Sequence, residues 1–435
     1  MALRAFGGSA LQMMFLLSAM TPGFPLSAFS QGPSVVVVEH ADSLVGKIIA
    51  GEEARELMGN VEFTHDQVRV SCDRATEYRR SGRMVLTGNV VVRDDSVTMR
   101  AAAAEYYRNE RRADAFQGVM LEDGRVTLTA RNAQYFTGPK KARFWTDVVV
   151  QEAGSTVIAD SFFYDRLDKH SVARGKVTVL ERDDNLTISG THLEHWSQTQ
   201  FSRMTGSPVL VQFDTTLSGS VDTLVVYSRI MESYRSEPKR MVAIDSVRII
   251  RSDLAAISEL AQFSPAGDSV SLRTSPVVWY GKTQIVGDSI TIYMKSRLLD
   301  RVLVMGNAYG TSRIDSGGVV RFDQLSGEFM KMYFLERRLS KVEVDHQATS
   351  LYHLFEDTLA NGLNKTSGDR VVMSFQGGKL SSIVVSGGAE GQYVPENLLR
   401  GGESAYHLPG FGWRDDRPHL RIQDVTSASQ SIHPR

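Results

Sequence analysis

The phrase Gly59-Asn60-Val61 returns as Gly88-Asn89-Val90, and its valine belongs to a series whose members are 29 residues apart. The five members are Val61, Val90, Val119, Val148 and Val177. Tyrosines keep nearly the same spacing, at Tyr78, Tyr106, Tyr135 and Tyr164. A fixed period of this size indicates stacked supersecondary units, which build long continuous surfaces or grooves rather than compact catalytic pockets.

The second half of the chain carries another repeat, with spacings of 40 and 41 residues. Its pattern, Leu-x-x-(Val/Ile)-x-Val-x-x-x-Ala, begins at Leu299, Leu339 and Leu380. A glycine followed by an acidic residue precedes each copy, at Gly287-Asp288, Gly327-Glu328 and Gly368-Asp369, and we expect a turn at each pair. Four matching positions in three copies at a constant offset indicate a genuine structural repeat.

Alternation of apolar and polar residues predicts strands throughout, as in Val126-Thr127-Leu128-Thr129. An extended stretch of 29 residues would span roughly 95 Å at ~3.3 Å each, so each repeat should hold about three or four short strands. Residues 101–107 align with a strand of the preceding repeat, whereas residues 253–263 are the one plausible short helix or irregular insertion. The predicted fold class is all-β: a repeat-built open β-jellyroll (β-taco-like) of stacked short antiparallel strands.

The first 30 residues have the layout of a secretory signal peptide. Arg4 is the only charge before Glu39, an apolar run covers residues 11–20, and Ala28-Phe29-Ser30 offers a cleavage site. Prolines at 22 and 25 interrupt the run short of the ~20 apolar residues that a membrane span requires. No cysteine lies at the cleavage region to carry a lipoprotein anchor. We therefore expect export to the periplasm and association with the cell envelope.

These patterns divide the chain into four predicted segments. Residues 1–30 are predicted as the signal peptide, 31–215 as a domain with 29-residue repeats, 216–394 as a region with 40-residue repeats, and 395–435 as a flexible tail. Within the tail, Phe411-Gly412-Trp413-Arg414 either packs incidentally onto the last strand or forms a short docking motif.

Composition and motifs argue against several function classes. The net charge of −1 does not favour a nucleic-acid partner, which usually needs a basic stripe. Cys72 is the single cysteine, so an internal disulfide framework is excluded, and it is interpreted as a small core residue. His192 and His195 are three residues apart, so on a strand they face opposite sides and do not form a metal pair. Phosphate-binding loops and nucleophile elbows are absent from the sequence. We expect no catalytic site, no cofactor and no metal.

The repeat phrases resemble a known family. Gly-Asn-Val followed by a tyrosine-containing strand is similar to the organic-solvent-tolerance OstA/LptA-like repeat. Phrases in the second half, among them Gln284-Ile285-Val286-Gly287-Asp288 and Val304-Met305-Gly306-Asn307-Ala308, look like those of the longer OstA-like proteins of Bacteroidota and Chlorobi-type bacteria. The tail phrase beginning at Pro409 is similar to the end of those proteins.

The resemblance implies a periplasmic β-jellyroll that passes lipopolysaccharide along its interior without enzymatic chemistry. It also implies pairing of edge strands with other Lpt-type jellyroll proteins or with a second copy. On this reading the repeat positions line a lipid groove, and the expected lining residues are Val61, Val90, Val119, Val148, Val177, Tyr106, Tyr135 and Tyr164.

Two alternatives stay open at this stage. One is a structural or interaction β-solenoid of the envelope with a filled core and no lipid cargo. The other is a carbohydrate-active β-helix, which would need carboxylates converging on one face, whereas the acidic residues here are spread over the turns.

Overall fold

The computed structural model describes most of the chain after residue 35. The described ranges are 36–65, 68–94, 97–124, 126–152, 154–182, 185–215, 221–264, 268–295, 298–316, 319–336, 338–356, 359–377, 379–399 and 402–421, with residues 423 and 426. The predicted signal peptide lies outside them. Within these ranges no helix has the length and apolar character needed to cross a membrane.

The chain divides into two compact units. Of the described residues, 36–182 and 187–206 form the N-terminal unit, and 185–186 with those from 207 onward form the C-terminal unit. The boundaries expected from the repeats, after residues 30, 215 and 394, stay a prediction.

Fourteen of the described strands lie mainly in the N-terminal unit. They are β1 (Val36–His40), β2 (Ser43–Ile49), β3 (Glu52–His65), β4 (Val68–Tyr78), β5 (Arg83–Asp94), β6 (Val97–Tyr107), β7 (Arg112–Glu122), β8 (Thr127–Ala130), β9 (Asn132–Phe136), β10 (Lys141–Glu152), β11 (Ser155–Asp165), β12 (His170–Glu181), β13 (Leu186–Trp196) and β14 (Phe201–Thr205).

The C-terminal unit contains the remaining described strands and a short helix. They are β15 (Val209–Thr215), β16 (Val221–Tyr227), β17 (Ile230–Tyr234), β18 (Arg240–Ile250), β19 (Leu254–Ser264), β20 (Ser269–Arg273), β21 (Val277–Tyr280), β22 (Thr283–Val286), β23 (Ser289–Lys295), β24 (Leu298–Ser316), β25 (Val319–Leu335), β26 (Arg338–Glu356), β27 (Leu359–Gln376), β28 (Lys379–Ser386), β29 (Glu390–Pro395) and α1 (Glu396–Leu399). A 3₁₀ turn covers Glu403–Tyr406.

The all-β, repeat-built fold class is confirmed, with antiparallel pairing between successive strands in both units. The expectation of three or four short strands per 29 residues is wrong. A repeat holds two longer strands, such as β4 and β5, because each strand bends at a corner instead of ending there. The predicted helix or insertion at 253–263 is also wrong, since Leu254–Ser264 is strand β19 and pairs antiparallel with β18.

The repeated phrase Gly-Asn-Val builds the corner. In β3, Gly59 and Asn60 together oppose one residue of β4, because Met58 pairs with Arg74 and Val61 pairs with Cys72. Two residues against one is a β-bulge, which bends a strand. Both bulge residues have positive φ, 73° at Gly59 and 44° at Asn60, and asparagine tolerates this left-handed region better than most residues.

An aspartate from the preceding part of the chain completes several corners. At the second copy, the Asn89 side-chain amide donates to the Asp73 carboxylate at 3.0 Å. The Asn307 amide does the same to Asp288 at 3.1 Å in the C-terminal unit. A Cβ added at Gly88 would lie 2.2 Å from Asp73 Oδ2, so the glycine is required by contact as well as by conformation. The same corner therefore recurs in both units despite their different repeat lengths.

The glycine–acid pairs of the second repeat belong to these corners and are not all turns. Gly327-Glu328 lies inside β25 and Gly368-Asp369 inside β27, which contradicts the expectation of a strand-ending turn at those two pairs. The glycine is needed there because a valine of the next strand lies close, with Val344 Cγ1 2.4 Å from a Cβ built on Gly327.

Candidate functional site

The repeat valines lie at the centre of the N-terminal unit. Their exposed fractions are 0 to 2 %, and all five belong to one continuous cluster of apolar side chains. Each follows a corner directly, so its side chain points between the two straight parts of the bent strands, one on each side of the corner, which we call the legs. These residues are therefore interior, while their predicted role in lining a lipid groove stays a prediction.

The tyrosines of the repeat are less uniform. Tyr164 is buried within the cluster and Tyr106 packs against it as a partly buried side chain. Tyr135 lies on β9, opposite Ala142 of β10 and Ala113 of β7, and is half-buried outside the described cluster. The structure thus brings seven of the eight predicted positions together and leaves Tyr135 apart.

Larger apolar side chains fill most of the same interior, and the sequence analysis did not identify them. They include Phe63, Leu86, Leu128, Phe144 and Phe162. These residues could have been identified from their even spacing to the repeat valines. The residue two after or four before a repeat valine lies on the same face, as Val150 and Phe144 do for Val148. The corner hides this signal, since its two residues interrupt the alternation.

Burial in this interior raises the pKa of two of its titratable groups. Desolvation raises the pKa of the Cys72 thiol to about 11 and the pKa of the Tyr164 phenol to about 12. Both groups are therefore neutral at physiological pH, and neither supplies a nucleophile or a base. Cys72 is 4 % exposed and belongs to the cluster, which confirms its interpretation as a small core residue.

The histidine pair does not converge on one ion. His192 Nε2 lies 2.8 Å from Glu194, whereas His195 Nδ1 lies 3.2 Å from the Ser202 hydroxyl. In the part of the chain that the structure describes, no group of three or more His, Cys, Asp or Glu side chains is arranged to hold a metal ion.

A polar depression of 310 Å³ lies in the N-terminal unit, lined by Gln151, Glu152, Ser155 and Arg182 among others. The Ser155 hydroxyl donates to the buried carboxylate of Glu181 at 2.6 Å. These polar walls are unsuited to an acyl chain, so the apolar interior and this depression are chemically separate sites.

The N-terminal edge presents an exposed apolar surface. Strands β1 and β2 both pair with β3 and, within the described ranges, with no other strand. Exposed apolar side chains lie along both strands: Val37, Val38, Leu44, Val45 and Ile48, the last with 76 % of its surface exposed. Unpaired strand edges are templates for pairing with another chain. The family resemblance implied edge pairing but did not locate this edge.

Residues 79–219 match the model of the family described as OstA-like protein. This part of the chain is similar to OstA-like proteins. The match runs from just before β5 to just after β15, so it includes most of the corners and most of the apolar cluster of the N-terminal unit. A search of curated proteins finds no match to the chain. The resemblance carried by the Gly-Asn-Val phrases is confirmed over these residues, whereas the likeness to the longer Bacteroidota-type proteins stays a prediction.

Proposed function

We propose that this protein is a non-enzymatic lipid carrier or bridge of the periplasm, which shields lipopolysaccharide acyl chains during transport to the outer membrane. The observation that carries the proposal is the OstA-like match over a region whose interior is one continuous apolar cluster. OstA-like proteins are associated with lipopolysaccharide transport in the envelope, and the cluster offers the matching chemistry.

The physical need for such an interior is large. An acyl chain of about a dozen carbons in water costs on the order of 10 kcal/mol, at ~0.8 kcal/mol per CH₂. A lipid with several chains does not cross water unassisted at a useful rate. A continuous apolar path removes most of this cost by contact alone, without a chemical step.

Loading requires the legs of the bent strands to separate. The interior valines are at most 2 % exposed, so the two walls contact each other directly. Separation exposes apolar surface, and burial of the acyl chain between the walls offsets this cost because the chain covers the same side chains. The corner bulges are the natural pivots, since their ladder hydrogen bonds are already interrupted.

Edge pairing extends the path to a partner. The exposed apolar strands β1 and β2 fit β-augmentation by another jellyroll of the Lpt type or by a second copy, with main-chain hydrogen bonds for affinity and apolar side chains on both faces. Substituting Val45→Lys on this edge should abolish association with such a partner in pull-down without changing lipid crosslinking.

Photocrosslinking tests the carrier directly. Phe144 is 5 % exposed in the cluster, and its neighbour Trp145 lies on the other face of β10 with more exposure. p-Benzoylphenylalanine fits either aromatic position. We expect a crosslink to lipopolysaccharide from position 144 and none from the matched control at 145. Crosslinks to protein alone from both positions would contradict the carrier.

A second function is favoured by the closed interior itself. If the N-terminal unit is a β-solenoid scaffold without cargo, its core has no reason to open. Val119→Ala would then cost about 1–3 kcal/mol of stability and produce no lipid-transport defect in the envelope. A defect in lipopolysaccharide delivery at unchanged protein abundance argues for the carrier.

A further inference from the structure

The segment after β29 turns back across the C-terminal unit. We call residues 402–421 the strap. From α1, it passes Gln324 of β25 at Leu408 and then Gln284 of β22 at Gly412. It reaches the turn before β22 at Arg417, whose Nη1 donates to the Gly281 carbonyl at 2.8 Å. The strap therefore crosses several strands in the order opposite to their order in the chain.

Two buried glutamines bind the main chain of the strap. Gln324 Oε1 accepts the Leu408 amide at 2.8 Å and the Tyr309 hydroxyl at 2.6 Å. The Gln284 side chain makes a double contact, donating to the Gly412 carbonyl at 2.9 Å and accepting the Arg414 amide at 2.8 Å. Both glutamines are only 2 % exposed. Without the strap, these buried amides would lose partners that water would have to replace.

A buried cation fixes the start of the segment. Arg321 is 6 % exposed, and its guanidinium donates to both carboxylate oxygens of Glu396, one of them at 3.0 Å. Glu403 lies 3.7 Å from the same guanidinium. A desolvated, bidentate pair of this kind gives geometric specificity more than stability.

Apolar side chains of the segment enter the interior of the unit. Leu399 is fully buried and Leu408 is 2 % exposed, and both belong to a cluster with Leu351, Leu363 and Val394. Farther along the strap, Phe411 and Trp413 lie 5.2 and 5.3 Å from the Phe322 ring. The chain's own leucines and aromatics thus fill apolar positions in this unit.

The strap is attached in a separable way. Residues 402–421 contain no strand, so no hydrogen-bond ladder holds them, and the contacts above come from a few side chains. Segments with few backbone bonds to the rest of a fold open at lower free energy than its paired strands. Neighbouring leucines differ sharply, since Leu398 is 66 % exposed while Leu399 is fully buried.

We propose that the strap, with Leu399 before it, is a displaceable plug in the acyl-chain site of the C-terminal unit, so that plug and lipid chain bind there in competition. The proposal rests on the proposed carrier function and adds a closure to it. In the absence of cargo, the plug keeps apolar surface from water and from unrelated chains. Cargo replaces two leucines with a longer apolar chain, while the glutamines become accessible to water.

A fluorescent fatty acid, 11-(dansylamino)undecanoic acid, provides a probe for the full chain. We expect Leu399→Ala and Leu408→Ala to bind it about tenfold more tightly than the wild type, because a weaker plug raises the fraction of binding-competent protein. Leu398→Ala is the matched control and should bind like the wild type. No tightening in either buried-leucine variant would overturn the plug.

Hydrogen exchange tests the plug in the wild-type protein, without any substitution. Adding the probe should accelerate exchange of the strap amides, including those of Leu408 and Arg414, while β24 to β27 stay protected. Unchanged or slower strap exchange with the probe bound overturns the plug and leaves the carrier standing. Absence of probe binding in the wild type and in every variant overturns the carrier and the plug together.

Discussion

The N-terminal unit fills its interior from its own strands, whereas the C-terminal unit also takes two leucines from beyond its last strand. Both units use the same bulged corner. They differ in the length of strand beyond the corner, since β5 continues for residues 90–94 after its corner, while β24 continues for residues 308–316. Longer legs at about 3.3 Å per residue present more apolar surface.

This difference explains why the two repeat lengths coexist in one chain. The corner requires the sequence phrase that recurs, Gly-Asn followed by an inward-facing valine or alanine. The length of the legs determines the number of residues in each repeat. A leg of five residues is covered by its partner leg, while the longer legs need further cover. In the C-terminal unit the strap supplies it, with Tyr309, Leu351 and Leu363 beneath.

The largest expected effect comes from a charge placed in the apolar interior of the N-terminal unit. Val148 is fully buried, and Val148→Asp places a carboxylate in the apolar cluster with no partner. We expect a loss of more than about 4 kcal/mol and unfolding of the N-terminal unit. Urea denaturation followed by circular dichroism measures it.

Val37→Asp is the control for that substitution, since Val37 is 53 % exposed and the change should stay within about 0.5 kcal/mol. Equal stability of the two variants would mean that the valine line is not the core of the unit.

The next effect tests the corner that the units share. Gly88 and Gly118 both have positive φ. A Cβ built on Gly88 would clash with the Asp73 side chain, whereas a Cβ built on Gly118 would have no atom within 4 Å. Gly118→Ala should cost about 1–2 kcal/mol from the left-handed backbone alone, and Gly88→Ala about 1–3 kcal/mol more from the contact.

Gly306→Ala in the C-terminal unit should match Gly88→Ala, because Asp288 lies 2.1 Å from a Cβ built there. Thermal melting of the three variants compares them. A Gly306→Ala loss as small as that of Gly118→Ala would show that the two corners are not equivalent.

The smallest effect concerns reactivity. Cys72 is buried in the N-terminal interior, and desolvation raises the pKa of its thiol to about 11. Alkylation proceeds through the thiolate, so iodoacetamide should label the native protein at pH 8 at least about a hundredfold more slowly than the urea-unfolded chain.

The same rate should rise about tenfold per pH unit until the pH approaches that pKa. Mass spectrometry of quenched samples follows the labelling. Rapid labelling of the folded protein at pH 8 would show that the N-terminal interior opens readily even without cargo.

Much of the fold could be predicted from particular residues. The valine spacing predicted the stacking, and alignment with the preceding repeat predicted a strand at 101–107 despite its helix propensity. The number of strands per repeat was wrong because a bulge and a turn have the same composition: Gly59-Asn60 bends β3 without ending it. The prediction for residues 253–263 was wrong because two small residues, Ala255 and Ala256, obscure the alternation of β19.

The sequence by itself determined the corners at Gly59-Asn60 and Gly88-Asn89, because glycine and asparagine tolerate a left-handed backbone that most other residues resist. The valine after each of these corners then faces inward. Only the tertiary structure decided what fills the space between the legs. Tyr135 follows the tyrosine spacing yet lies outside the N-terminal cluster, and Leu399 follows no repeat yet is fully buried. Burial of this kind depends on contacts between residues far apart in the chain, such as Gln284 with Arg414, which no local period records.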